Sequence, residues 1–524
     1  MGGTRLARLT CAAVLLGVLA VARAQPAPAP HFTIERFLVE GNTLIPAKEV
    51  DAMLAPFTGP NRDFADVQRA LEALQRAYIE RGYQAVRVVV PEQTLTSGKV
   101  RLEVVEAKLR NVRVEGNRFF DSANVRASLP AVQAGQVPNT RRIGENVQLA
   151  NENPAKQVTV QLQSTPEPGQ VDAALQVKDE KPTRAFVSLD NTGTGDTGYY
   201  RVGIGYQNAN VADRDQVVNL QAVTSPTRPN DVKIFGAGYR IPVYSHEGMI
   251  DLIAGYSDVN SGTLQSLFTV SGKGTIFAAR YTQVLPRMQD YQQRLAVGLD
   301  YRAYNPNVGL VGTSGTLLSD ITLHPVTLTY SGRLSGVGSD LSLALSYSQN
   351  IPGGSDGDDA AFAQRGAGDA AHYSIWRYGA SYTQALPRDF LFRAALDGQY
   401  TGDLLVAEEQ FGMGGINSVR GYYERETEND IGERGTLELY SPEIPALLGV
   451  GWHARALVFG DWAHGQDNSP EREPNSNLQS VGVGLRVNQG KTWAARADIA
   501  YVRKSAGTQT DGSNMFNFVV GYSF

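Results

Sequence analysis

Met515-Phe516-Asn517-Phe518-Val519-Val520-Gly521-Tyr522-Ser523-Phe524 stands at the end of the 524-residue chain. Phe516, Phe518, Val520, Tyr522 and Phe524 share one parity, and Asn517, Gly521 and Ser523 fall on the other. Successive side chains of a strand point to opposite faces, so the segment has an apolar face and a small or polar one. A closing strand of this kind is expected of an outer-membrane β-barrel, with lipid outside and water inside. A soluble edge strand this aromatic would be an aggregation hazard. The five apolar residues are therefore expected to serve as the closure and assembly signal of a barrel.

The same alternation recurs upstream. Val481, Val483, Leu485 and Val487 interleave with Gly482, Gly484 and Arg486, and Trp493 to Tyr501 repeats the pattern with Arg496 and Asp498 on the inner parity. Polar loops such as Gly353 to Asp359 and Gly465 to Asn477 separate such pairs of strands. Tyr281-Thr282-Gln283-Val284-Leu285-Pro286-Arg287 recurs as Tyr382-Thr383-Gln384-Ala385-Leu386-Pro387-Arg388. Both are expected to be short periplasmic turns, with Pro ending the ladder. Residues 184–524 hold 341 positions, about 21 for each of 16 strands, which suits strands of roughly 10 residues with longer outer loops. Spacing alone fits fourteen or eighteen strands nearly as well.

At the other end, Arg5 and Arg8 precede an apolar run from Leu9 to Val21, and Ala22-Arg23-Ala24 supplies a small-x-small cleavage site. Residues 1–24 are expected to be a signal peptide, followed by a short Pro-rich stub at 25–31. Cys11, the one cysteine, falls inside the leader, so the mature chain needs no disulfide in an oxidising periplasm. The 48 basic and 53 acidic residues give −5, which argues against a nucleic-acid binder. A mean hydropathy of −0.25 suits a barrel in which only alternate residues meet lipid.

Before about residue 183 the organisation is mixed α/β. Val39-Glu40-Gly41-Asn42 is echoed by Val114-Glu115-Gly116-Asn117, so a small domain is duplicated, over 32–108 and 109–183. In the first copy Val67, Leu71, Leu74 and Tyr78 mark a helix stopped by Gly82. Val86 to Val90 and Val100 to Val105 follow as strands, giving the order β-α-α-β-β.

Several motifs in this order resemble the Omp85 superfamily, and within it the two-partner-secretion transporters (TpsB) that export haemolysins and adhesins. They are Arg81-Gly82-Tyr83, Val90-Pro91-Glu92-Gln93-Thr94-Leu95 with Gly98, and Val104-Val105-Glu106. Ser188-Leu189-Asp190-Asn191-Thr192-Gly193 resembles the family's first barrel strand and loop. Val419-Arg420-Gly421-Tyr422 resembles its inward-folded loop signature, and Phe459-Gly460-Asp461-Trp462-Ala463 its Phe-x-Asp-x-Gly strand. The resemblance implies a membrane β-barrel of about 16 antiparallel strands at 184–524, preceded by two small α/β POTRA domains. It implies localisation in the bacterial outer membrane with the POTRA domains in the periplasm, and a pairing of Arg420 with Asp461. Inner parity for Asp461 also follows from the alternation of Trp452 to Trp462, because a charge facing lipid is strongly disfavoured.

The mechanism so implied makes no bond and uses no nucleotide. An unfolded exoprotein binds the POTRA domains by strand addition and passes through the barrel, with the Arg420 loop as plug or latch. Expected partners are a large adhesin- or haemolysin-like polypeptide, outer-membrane lipid and the barrel assembly machinery. The stub at Gln25 to Pro30 cannot form the plug helix that some family members carry, so the resting pore is expected either to be closed by the loop alone or to be leakier. The alternative is a factor that assembles other outer-membrane barrels, for which two POTRA domains are few. Catalytic residues, cofactor and metal are expected to be absent. The six histidines show no zinc-ligand spacing, and Asp356-Gly357-Asp358-Asp359 lacks the spacing of a known calcium loop.

Overall fold

Lys99–Glu106 lies at the centre of the three-stranded sheet of the first duplicated domain, parallel to Arg36–Glu40 and antiparallel to Val86–Val89. The computed structural model describes residues 31–94, 98–264, 268–305, 319–365, 370–444, 449–469 and 475–524. The expected signal peptide and most of the stub lie outside them, as does Leu95. Helix Phe64–Glu80 buries Val67, Leu74 and Tyr78 of the expected stripe, together with Ala70, while Leu71 is half-buried. In the second copy Gln170–Asp179 takes the central place, parallel to Lys108–Glu115 and antiparallel to Lys156–Ser164. Helices Ser122–Ala127 and Thr140–Ala150 complete it.

The echoed motif forms the same turn twice. Gly41 and Gly116 both have positive φ, and a Cβ on either would fall within 2.4 Å of a strand carbonyl, Val104 O or Val177 O. Asn42 and Asn117 then each donate through Nδ2 to the carbonyl three residues on. An acid at the end of the last strand accepts the loop's amides: Glu106 takes Thr43 and Leu44, and Asp179 takes Arg118, Phe119 and Phe120. The repeat preserves a hydrogen-bonding scheme as well as a string of letters.

The remainder is a closed antiparallel barrel of sixteen staves among the described residues. The first is Thr183–Asp190 and the sixteenth is Asn514–Ser523. The eighth is broken into Ile321–Leu323 and Pro325–Gly336. Phe235, Phe277, Leu437, Val483 and Phe516 are exposed outside it, whereas Asn517 and Asp498 are buried within. An outer face that apolar is stable only against lipid. Along the closing seam, Val519 to Ser523 pair with Asp190 to Phe186, and Ala185 and Phe524 exchange two backbone bonds of 2.9 Å. Beyond that ladder the Asn191 side chain takes over, donating to Phe516 O at 2.7 Å and accepting from Phe518 N at 2.8 Å.

One expectation is corrected. Tyr281 to Leu285 lie inside strand Phe268–Met288, and Tyr382 to Ala385 inside Ser374–Ala385, so neither heptapeptide is a turn as a whole. Pro286 sits at a register shift between Leu285 and Met288, where the missing N–H costs no ladder bond, and pairing resumes at Met288 with Tyr291. Pro387 does leave the ladder, opening a short 3-10 turn at Pro387–Asp389.

The second of the duplicated domains is seated on short turns of the barrel. Lys156 is fully buried and pairs with Asp215 of the turn after Arg201–Val211, while Tyr244 Oη donates to the same carboxylate at 2.6 Å. Asn153 donates to Ala209 O at 2.6 Å, Asn124 to Asp213 O at 2.9 Å, and Arg294 pairs with Glu152. Leu149 packs against Met249 and Val284. Burial pushes the Lys156 ammonium down from its ordinary range, and the Asp215 charge opposes that push.

Candidate functional site: a lumen loop and its anchors

Residues 401–430 connect the eleventh stave, Leu391–Tyr400, to the twelfth, Ile431–Tyr440. Phe411–Met413 and Thr427–Asn429 pair as a small antiparallel hairpin, which carries the tip at 414–426 into the lumen. Gly421 has φ +96°, and a Cβ there would press to 3.2 Å from Ala500 and Val502 of the wall. Only glycine combines that backbone with that approach. Its neighbours Val419 and Tyr422 are buried in a nest with Met413, Ala463, Leu478 and Val502. Tyr422 Oη donates to Lys504 O at 2.5 Å and accepts from Gln479 N at 3.1 Å.

Arg420 sits between these two anchors. Its Nε donates to Asp461 Oδ2 at 2.7 Å and one terminal nitrogen to Asp461 Oδ1 at 2.8 Å, a bidentate fork. Its backbone N–H also donates to Asp461, at 3.1 Å. The other terminal nitrogen donates to Glu438 Oε1 at 2.9 Å and lies 3.7 Å from Asp498. The guanidinium covers the Phe459 ring. Arg393 pairs with Glu438 and Arg486 with Asp498, so three guanidinium groups meet three carboxylates in a cluster largely withdrawn from solvent.

All four residues of the loop motif and both of the strand motif thus converge. Sequence reasoning passed over Thr436, whose Oγ1 donates to Asp461 Oδ1 at 2.6 Å, and Glu438, and it placed Asp498 on the inner parity without assigning it to this site. The first two had a signal, since Thr436 and Glu438 alternate with the outward Leu437 and Leu439. Phe516, Phe518, Val520 and Tyr522 lie apart from this cluster, on the closing stave, with Phe524 one residue past its end. Among the described residues no group of three or more His, Cys, Asp or Glu is disposed to hold a metal.

A sequence model of the family described as haemolysin secretion/activation protein ShlB/FhaC/HecB matches residues 169–487. The chain belongs to that family. A ShlB-type POTRA domain matches residues 32–107. Among curated relatives, the outer membrane transporter CdiB of Escherichia coli is 25% identical over 470 residues, 88% of this chain and 77% of its own. The heme/hemopexin transporter protein HuxB of Haemophilus influenzae is 21% identical over 490 residues, 89% of this chain and 82% of its own. The solved structure of CdiB from Escherichia coli shares the fold with a TM-score of 0.76 at 20% identity, covering 97% of this chain and 93% of that one. CdiB from Acinetobacter baumannii gives 0.70 at 16% identity, over 95% and 91%. The ShlB-family chain is accordingly a two-partner-secretion transporter of the outer membrane that acts with a secreted exoprotein, its POTRA domains in the periplasm.

Proposed function

We propose that the POTRA domains capture an extended, unfolded segment of the exoprotein and feed it into a lumen that residues 401–430 close at rest. Strand Val86–Val89 pairs with Lys99–Glu106 on one side and has no strand on the other among the described residues. There the Gln75 amide of helix Phe64–Glu80 bonds Val86 O and Val88 N at 2.8 Å and would give way to an incoming segment. An added strand there gains backbone bonds whatever the side chains of the cargo. The mechanism involves no chemical step; folding of the emerging chain outside supplies direction. Lipid packs on the outward apolar face, and the barrel assembly machinery engages the closing stave during insertion.

The observation that carries this reading is that the tip of an outer loop is tied inside the barrel by discrete charged contacts of Arg420 with Asp461 and Glu438. Contacts of that kind break and reform without unfolding the wall. The test compares the proteomes of medium and outer membrane with and without the gene. Loss of one large secreted polypeptide, with other barrels unchanged, supports the reading. A general loss of outer-membrane barrels would make the protein an assembly factor instead.

A further inference from the structure

The lumen loop touches the wall through two separate sets of charges. Arg420 reaches the twelfth, thirteenth and fifteenth staves through Glu438, Asp461 and Asp498. Eleven residues earlier, Glu409 is buried to 2% exposure and pairs with Arg302 of the seventh stave, Tyr291–Tyr304. It also pairs with Arg377 of the tenth, Ser374–Ala385, at 3.0 Å. In a ring of sixteen, the seventh and fifteenth staves are eight apart and face each other across the lumen. The loop is therefore strung between opposite walls.

Each end has its own apolar nest. Leu405 and Val406, just before Glu409, are buried with Tyr304, Ile321, Phe362 and Tyr373. Gln399 fixes the Glu409 carbonyl at 2.9 Å, and Arg365 pairs with the adjacent Glu408. Between the two nests the loop does not fill the barrel. A cavity of about 850 Å³ separates Gly412, Gly414, Asn417 and Glu424 from the wall. This middle stretch faces open space on one side, while Met413, buried beside Tyr422, and Arg434, over the Phe411 ring, hold it on the other.

We propose that Glu409 is a positioning residue for transport: with Arg302 and Arg377 it forms a second clamp, and the loop occludes the lumen only while both clamps hold. This rests on the reading that residues 401–430 close the pore. Losing this carboxylate leaves Arg302 its pair with Asp300 at 2.6 Å but takes the shared anion from both arginines, so the neutral isostere is the informative change. The experiment measures single-channel conductance of the full chain in planar bilayers for wild type, Glu409→Gln, Glu409→Asp and Arg420→Ala. Heat-modifiable gel mobility serves as the check that each barrel is folded.

Glu409→Gln is expected to raise the open fraction severalfold over wild type, while Glu409→Asp, which keeps the charge, stays near wild type. A barrel that merely needed Glu409 for folding would lose its folded gel form and gain no openings. Openings in Arg420→Ala with Glu409→Gln closed like wild type would overturn the second clamp and keep the latch. Openings in Glu409→Gln with Arg420→Ala closed would keep this clamp and remove the other. If Glu409→Gln does not assemble, Arg377→Gln removes the more exposed partner and is expected to open the pore to a smaller degree. A folded Arg377→Gln barrel closed like wild type would overturn the proposal.

Discussion

Arg420 lies over the face of Phe459, its Cζ 3.4 Å from the ring centre. Phe459 and Asp461 are two residues apart on one strand, so their side chains leave the same face side by side. A planar guanidinium that stacks on the first is thereby presented edge-on to the second. The spacing Phe-x-Asp encodes a socket for arginine, with a floor and a wall.

Lysine does not fit that socket, because its ammonium is a point charge without the fork or the flat face. Removing the partner of a buried pair costs about 3–5 kcal/mol. That is roughly two to four orders of magnitude in the population of a released loop. Arg420→Ala is expected to reduce secretion with the barrel still inserted, and Arg420→Lys to fall between Ala and wild type. Export by Arg420→Lys equal to wild type would show that stacking and fork add nothing beyond charge.

The seam between first and last staves makes a separate prediction. Asn191 supplies one donor and one acceptor where the first stave's backbone has already turned away. Replacing it with Ala removes two hydrogen bonds worth about 1 kcal/mol each. The heat-modifiable transition of Asn191→Ala should move to lower temperature while the loop clamps stay intact. An unchanged transition would mean that the ladder from Val519 to Ser523 closes the barrel alone.

At the periplasmic joint, Lys156→Met leaves Asp215 buried with Tyr244 but without its cation. The expected loss is about 3–5 kcal/mol of docking energy, read as faster proteolytic release of residues before 183. Combining Lys156→Met with Asp215→Asn should recover part of it, since the two positions are coupled. Strictly additive losses would argue against a direct pair.

Acid should loosen the second POTRA domain through Asp172. Arg110 holds that carboxylate by a bidentate contact, at 3.1 and 2.8 Å, and keeps it below the ordinary carboxylate range. A depressed folded value stabilises above the unfolded pKa of about 3.9, and the contribution is lost as pH falls through the folded value. Wild type and Arg110→Gln should therefore differ in amide exchange of Lys108–Glu115 at pH 6 and converge toward pH 3. Equal protection at pH 6 would remove the contact from the stability of this domain.

Alternation from Phe516 to Phe524 was legible as a barrel strand because lipid and lumen impose opposite chemistry on neighbouring residues. The duplicated Val-Glu-Gly-Asn turn was legible for a local reason too: a glycine at positive φ followed by an asparagine that bonds three residues on. Both are short-range demands, met within a few positions of chain. Arg420 and Asp461 were brought together by resemblance and parity. Glu409, however, is an unremarkable acid beside Glu408, and nothing nearby marks it as the partner of Arg302 and Arg377. Strand number was likewise open to spacing and settled by closure. Where the loop crosses the lumen depends on which staves face each other, and that follows from a ring of sixteen closing on itself, a property of the whole chain and of no segment of it.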